Sequence, residues 1–193
     1  MLKPIAAALL AATFAAPAFA APQPVEIDLS HTRVWFYVNH LGFSDMYGDF
    51  TKFDIDLKVD PENLANSTVS ASIDTSTVDM RHGGLNDHLK NKDFFNVGQF
   101  PAMTFETTGV TQNGEGKLAV AGNLTLLGVT KPVTLDVTVN KIGEHPMRKV
   151  PWVGFNATTT IKRSEFGMGY AVPAVGDDIK ISIGLEGALK AAE

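Results

Sequence analysis

Residues 121–139 read AGNLTLLGVTKPVTLDVTV. Gly122, Leu124 and Leu126 alternate with Asn123 and Thr125. After a short break at Gly128 to Pro132, Val133, Leu135, Val137 and Val139 alternate with Thr134, Asp136 and Thr138. A period of two places each apolar set on one face of a pleated strand. A short break that holds a glycine joins two such strands as an antiparallel hairpin. Pro132 has no N–H to donate, which suits the first position of the second strand. One side of this wall is apolar and the other is rich in threonine.

The same rhythm recurs along the chain. Val34, Phe36 and Val38 alternate within RVWFYVNH. Phe53, Ile55, Leu57 and Val59 alternate with Asp54, Asp56, Lys58 and Asp60, and Val69, Ala71 and Ile73 follow. Met103 and Phe105 start a shorter run, and the hairpin spans 117–127 and 133–139. Val153, Phe155, Ala157, Thr159 and Ile161 come next, and Ile179, Ile181, Ile183 and Leu185 close the chain. About eight strands, each apolar on one side, predict an all-β domain. Eight antiparallel strands close into a barrel whose interior holds side chains or one small ligand. A two-sheet sandwich carries the same alternation and stays open as the alternative.

Thr75–Pro101 interrupts the pattern. A loop this long inside a compact domain usually has a task. Asn86 is placed to cap a short helix through Asp87-His88-Leu89-Lys90. Phe94-Phe95 and Phe100 then supply bulk, so the segment reads as a helical cover over one barrel mouth. Phe166-Gly167-Met168-Gly169-Tyr170 is a second apolar loop suited to the rim.

The first twenty residues read differently. Lys3 gives a positive start, Ile5 to Ala16 is apolar except for Thr13, and Ala18-Phe19-Ala20 is a small-x-small cleavage signal. This is the pattern of a secretory signal peptide, too short to span a bilayer. Cleavage would leave 21–193 as one domain and, with Lys3 gone, move the formal net charge from −5 to −6. Export implies the periplasm or the exterior. With no cysteine in the chain, a lipoprotein anchor, a thiol nucleophile and a thiolate metal site are excluded. The mildly acidic balance disfavours nucleic acid and anionic membrane surfaces. No later stretch is apolar for eighteen residues, so the mature chain is expected to be soluble.

Catalytic signatures are missing: there is no GxSxG, HExxH, phosphate loop or GxGxxG. His31 and His40 differ in parity and would point to opposite faces of one strand. His82 and His88 share the long loop without a third ligand, so neither a metal nor a cofactor is expected. Asp54, Asp56, Asp60, Asp74 and Asp136 read as solvated faces. His40 stands out because Val34, Phe36 and Val38 share its face. An enzyme acting on a lipid at the mouth would need His82, Asp87 and His88 together. A protein-binding role would use Trp35, Tyr37 or Trp152 on an outer face. The inward parities instead predict an enclosed, long apolar ligand. Its expected liners are Phe36, Val38, Phe53, Ile55, Ile73, Leu89, Phe94, Phe95, Met103, Phe105, Leu124, Leu126, Leu135, Phe155, Phe166 and Ile181.

An ordered set of motifs resembles the YceI-like proteins. It begins with Asp28-x-x-His31, Trp35-Phe36-x-Val38-x-His40-Leu41-Gly42-Phe43 and Gly48-x-Phe50-x-x-Phe53. It continues with His88-Leu89-Lys90, Asp93-Phe94-Phe95, Phe100-Pro101 and Thr104-Phe105. Gly122-x-Leu124-Thr125-Leu126-x-Gly128-Val129-Thr130-Lys131-Pro132-Val133, Arg163-Ser164-Glu165-Phe166-Gly167 and Val175-Gly176-Asp177 complete it, so that the set spans nearly all of 25–187. The resemblance implies a lipocalin-like antiparallel β-barrel in the periplasm. It implies an isoprenoid or comparable lipid chain in a central tunnel, often a homodimer, and no catalytic residues. Such a cargo would bring transient contact with a membrane or membrane protein. Many members read Arg-Asp-x-His-Leu before the double phenylalanine; here the segment is Leu85-Asn86-Asp87-His88-Leu89, and the charged pair is missing.

Overall fold

A computed structural model describes residues 21–190; the expected signal peptide lies outside them. Eleven strands and one α-helix follow in order: β1 (Gln23–Ile27), β2 (Arg33–His40), β3 (Ser44–Phe50), β4 (Phe53–Val59), β5 (Thr68–Asp74), β6 (Val78–Asp79), α1 (Gly83–Lys90), β7 (Ala102–Gln112), β8 (Lys117–Leu126), β9 (Val129–Glu144), β10 (Pro151–Lys162) and β11 (Asp178–Leu189). Eight of them close an antiparallel ring in the order β1-β4-β5-β7-β8-β9-β10-β11, with β1 returning to β11. The architecture is the closed antiparallel barrel expected from the alternation, not the two-sheet sandwich, and is lipocalin-like as the resemblance implies. No helix among the described residues is long and apolar enough to cross a membrane.

The membership of the ring differs from the sequence reading in one strand. β1, not β2, completes it, through Val25↔Leu189 on one side and Gln23↔Val59 on the other. β2 pairs with the earlier half of β11, Ile181 opposite Phe36, and carries β3 and then β6 outward as an extension of the wall. Pro24 and the shortness of β1 hid it. β3 was hidden by Gly48, which faces inward between Met46 and Phe50. A Cβ at Gly48 would sit 2.6 Å from Cζ of Phe36, so the strand gives up a side chain where that ring lies.

The hairpin that opened the reading is tighter than its sequence break suggests. Its turn is two residues, Leu127 and Gly128, both left-handed at φ +51° and +73°. Paired positive φ values match the twist of the strands they join. β9 therefore starts at Val129, and Pro132 lies inside it, opposite Asn123. There β9 has only β8 beside it, because β10 pairs no earlier than Asp136, and a missing N–H is tolerated at such an edge. Gly122 has a packing reason: a Cβ would fall 2.2 Å from Cζ of Phe105 and 2.6 Å from the Glu106 carbonyl.

The two barrel ends differ. At one end, residues 60–67 fold over the opening, anchored on Asp60, which is 1% exposed. Its Oδ1 accepts from the Glu62 and Asn63 backbone N–H groups and its Oδ2 from Asn66 Nδ2 at 2.8 Å. The Asn66 bond, first among these, lowers the Asp60 pKa. Asp60 is thus not the solvated residue its strand parity suggested. Asp74 also leaves the solvated set, because its side chain caps the 3-10 turn at Thr75–Thr77. Asp54, Asp56 and Asp136 are exposed.

At the other end sits the long segment 75–101. Thr75, 1% exposed, clamps its two ends together: its N–H donates to Pro101 O and its hydroxyl to Phe100 O at 2.8 Å. The helix within is longer than expected, and its N-cap is His82, whose Nδ1 accepts from Leu85 N. Gly83 and Gly84 are poor helix formers, which concealed that first turn. Asn86 lies inside the helix and ties it to β6. Its Oδ1 accepts from Met80 N at 2.7 Å and its Nδ2 donates to Asp79 Oδ1 at 3.0 Å.

Candidate ligand cavity

Inward side chains do not fill the ring. They surround a cavity of about 490 Å³ that runs from Val59, Leu64 and Val69 at the folded-over end to His88, Phe94 and Tyr170 at the other. The volume lies in the range of about 300–1,000 Å³ typical of ligand pockets. Its walls are alternate residues of the barrel strands. Met103, Phe105, Thr107 and Val110 come from β7, and Leu118, Val120, Leu124 and Leu126 from β8. The step between Thr107 and Val110 follows the bulge that shifts register at Gly109.

Fourteen of the sixteen residues expected as liners border this space: Phe36, Val38, Ile55, Ile73, Leu89, Phe94, Phe95, Met103, Phe105, Leu124, Leu126, Leu135, Phe155 and Ile181. Phe53 and Phe166 do not. Phe53 has the parity of Ile55 and pairs in register with the liner Ile73, but it packs into the core around Phe50 and Phe95 and does not border the cavity. Phe166 is 2% exposed and belongs to that same core.

The mouth is built from three pieces. α1 contributes Leu85, His88 and Leu89, the β2–β3 hairpin contributes Val38, His40 and Met46, and the 163–177 loop contributes Met168, Tyr170, Ala171 and Val175. Three rings close the joint between helix and loop. His88 meets Phe94 at 4.9 Å and Tyr170 at 5.6 Å between centroids, and Phe94 meets Tyr170 at 5.5 Å. His40 bridges to Val175 and joins hairpin to loop.

Arg163 organises the loop. The residue is 2% exposed, and its guanidinium makes four bonds to backbone carbonyls: Nε to Gly176 O, Nη1 to Met168 O and Tyr170 O, and Nη2 to Val175 O, all at 2.8–2.9 Å. Burial pulls its pKa below the ordinary arginine value, while Asp177 acts in the opposite direction. Its donors are committed to the protein's own backbone. Among the described residues the cavity lining contains no aspartate, glutamate or lysine.

The other chemical candidates of the sequence are dispersed. His82 caps α1, Asp87 is exposed, and His88 turns to the rings and to Asp93, 3.8 Å away. Trp152 is buried between His145 and Arg148 and offers no outer aromatic face. Trp35 borders the cavity, and Tyr37 packs on Tyr47.

One cluster was not legible beforehand. At the end opposite the mouth, outside the barrel, Asp28, His31 and Glu186 bring one ligand-type atom each within 4.8 Å of the others. Asp28 and His31 are three residues apart, but Glu186 arrives only through the β1–β11 register, where Asp28 N donates to Glu186 O. Asp28 Oδ2 lies 3.1 Å from His31 Nδ1 and 3.4 Å from Arg148 Nη2. The Asp28 carboxyl is held far below the ordinary aspartate range, first by the Ser30 hydroxyl and then by His31. A depressed native pKa contributes stability that is present above the unfolded value of about 4 and is lost as the pH falls below it. Asp28→Asn is expected to flatten the decline of the urea midpoint between about pH 4 and pH 2. An unchanged slope would show that this seam carries no such coupling.

Comparison with known proteins agrees with the geometry. The sequence model of the YceI-like domain matches residues 26–187.

The chain belongs to the YceI-like family.

A relative from Yersinia enterocolitica, a UPF0312 protein, is 37% identical over 173 residues, covering 90% of this chain and 89% of its own length. Among solved structures, BcnA of Burkholderia cenocepacia superposes with a TM-score of 0.77 at 28% identity, over 84% of this chain and all of that one. A polyisoprenoid-binding domain from Saccharophagus degradans, implicated in plant cell wall breakdown, shares the fold with a TM-score of 0.63 at 10% identity, over 88% of this chain and 99% of that one. In α1, Leu85 faces the cavity, and Asn86 bonds to Met80 and to Asp79 of β6.

Proposed function

We propose that the protein is a periplasmic carrier that encloses a long apolar chain, a polyisoprenoid or the tail of an isoprenoid quinone, for transport, storage or sequestration. The observation that carries this reading is the 490 Å³ cavity and its apolar wall. At about 24 cal/mol per Å³, leaving that much enclosed apolar space unfilled would forfeit on the order of 10 kcal/mol. That is comparable with the whole stability of a domain, about 5–15 kcal/mol. A bound chain recovers it: twenty methylenes at about 0.8 kcal/mol each give roughly 16 kcal/mol before ordering costs. The Saccharophagus domain, described as polyisoprenoid-binding, points to the same ligand class. The fourteen expected liners that border the cavity are the proposed contacts, and a homodimer and a membrane source or acceptor belong to the same reading.

Native mass spectrometry of protein purified from its host without detergent tests it. The expected result is a protein peak with an added mass that organic extraction assigns to an isoprenoid. Protein that carries no lipid, and takes up none from an added prenol of twenty or more carbons, overturns the proposal.

A further inference from the structure

We propose that the tip of the β2–β3 hairpin, Leu41-Gly42-Phe43, is a membrane contact that seats in the interface of an electrically neutral phospholipid bilayer and delivers a membrane-resident ligand to the adjoining mouth. The delivery step rests on the carrier reading above; the membrane contact does not.

The tip is apolar and held outward. Phe43 is 87% exposed, Leu41 49%, and Tyr47 behind them 58%. Single exposed apolar residues are ordinary, but these are fixed in place. Leu41 and Gly42 are left-handed, at φ +57° and +77°, a region that a leucine seldom occupies. Gly42 N donates to Asn39 Oδ1 at 2.8 Å, Asn39 Nδ2 donates to Asp45 Oδ1 at 3.0 Å, and Leu41 N donates to Ala174 O at 3.1 Å. The turn is thus locked to itself and to the mouth loop, and Phe43 points into solvent.

The tip is also continuous with the cavity. Val38, His40 and Met46 on the same hairpin line it, and so do Tyr170 and Val175 on the loop to which the hairpin is bonded. Tyr170 is 49% exposed, which extends the apolar rim. An apolar chain leaving a bilayer here meets protein side chains before water. Aromatic and aliphatic side chains of this kind favour the membrane interface.

Charge selects the kind of bilayer. Residues 34–51 contain no lysine or arginine. Their acidic residues are Asp45 and Asp49, and Asp49 is paired with Arg81 at 3.1 Å. Anionic headgroups gain nothing from such a surface, so the attraction is apolar and neutral headgroups are preferred.

Vesicle flotation tests this with wild type and L41S/F43S. Wild type should float with phosphatidylcholine vesicles, less with phosphatidylglycerol vesicles, and without weakening when salt is raised to about 1 M. L41S/F43S should keep the wild-type thermal midpoint, float about tenfold less, and load a nonaprenol from phosphatidylcholine vesicles about tenfold more slowly. Supplied with the same prenol in detergent, both proteins should reach equal occupancy. If neither protein takes prenol from detergent while flotation still differs, the carrier reading falls and the membrane contact stands. Absence of flotation by wild type, or equal flotation by L41S/F43S, overturns the proposal. A dimer that L41S/F43S splits in sedimentation velocity, with flotation unchanged, reassigns the tip to a second copy of the chain.

Discussion

Replacing Arg163 with methionine is expected to lower the thermal midpoint by about 10 °C and to abolish retention of any lipid in the cavity. The substitution keeps the volume and apolar stem but removes the donors that hold four carbonyls between Met168 and Gly176. Bonds from a charged donor are worth about 1.5–3 kcal/mol each, and buried carbonyls left without a partner add their desolvation cost. The terms are not additive, and a net loss of about 3–5 kcal/mol is the expected scale. The functional loss follows from the same bonds. Tyr170, Ala171 and Val175 line the mouth, and the guanidinium is what sets their backbone. Arg163→Lys should restore only part of both, since one ammonium cannot match the spread of a planar guanidinium. Differential scanning calorimetry reads the first effect and native mass spectrometry the second. A wild-type midpoint for Arg163→Met would show that the loop holds its shape without the guanidinium.

The strength of Arg163 as a target was not visible in its local sequence. Arg-Ser-Glu-Phe-Gly reads as a polar turn, and nothing in it says that the arginine points inward at carbonyls five to thirteen residues downstream. The barrel was legible because a side chain every second residue leaves a periodic trace, and seven of the eight ring strands carry it over five or more residues. The trace fails where packing asks for an absent side chain. Gly48 yields to the Phe36 ring, so β3 left no unbroken alternation to be read as a strand. It also fails where a strand is short and edge-like, as β1 is with Pro24. The helix cap was misplaced because His82, not a Ser, Thr, Asp or Asn, serves as N-cap. For the cavity, parity located the walls but not their length. Phe53 has the right parity and the level of the liner Ile73, yet its ring packs into the core around Phe50 and Phe95, a choice that parity does not encode. Glu186 beside Asp28 and His31 depends on the ring closing in one register, which no local pattern encodes.

A bulky side chain planted in the middle of the barrel should separate a lipid carrier from an ordinary core. Ala157 on β10 is 8% exposed, lies between Val137 of β9 and Ile183 of β11, and borders the cavity. In a close-packed interior, Ala157→Phe would force neighbours off their rotamers and cost about 1–3 kcal/mol or more. In a hollow barrel the ring enters open space and gains contacts, so the urea midpoint is expected to stay level or rise. The ring then occupies room that an isoprenoid would use. Displacing about four methylenes removes roughly 3 kcal/mol of burial, which corresponds to about a hundredfold weaker retention. Thr158 is the control. It is the next residue on the same strand and is exposed, so Thr158→Phe leaves the cavity intact and lipid retention unchanged. Stability and bound lipid, measured on all three proteins, should therefore move in opposite directions only for Ala157→Phe. If Ala157→Phe loses stability and keeps its lipid, the ligand does not pass through the barrel at that level and the tunnel reading fails.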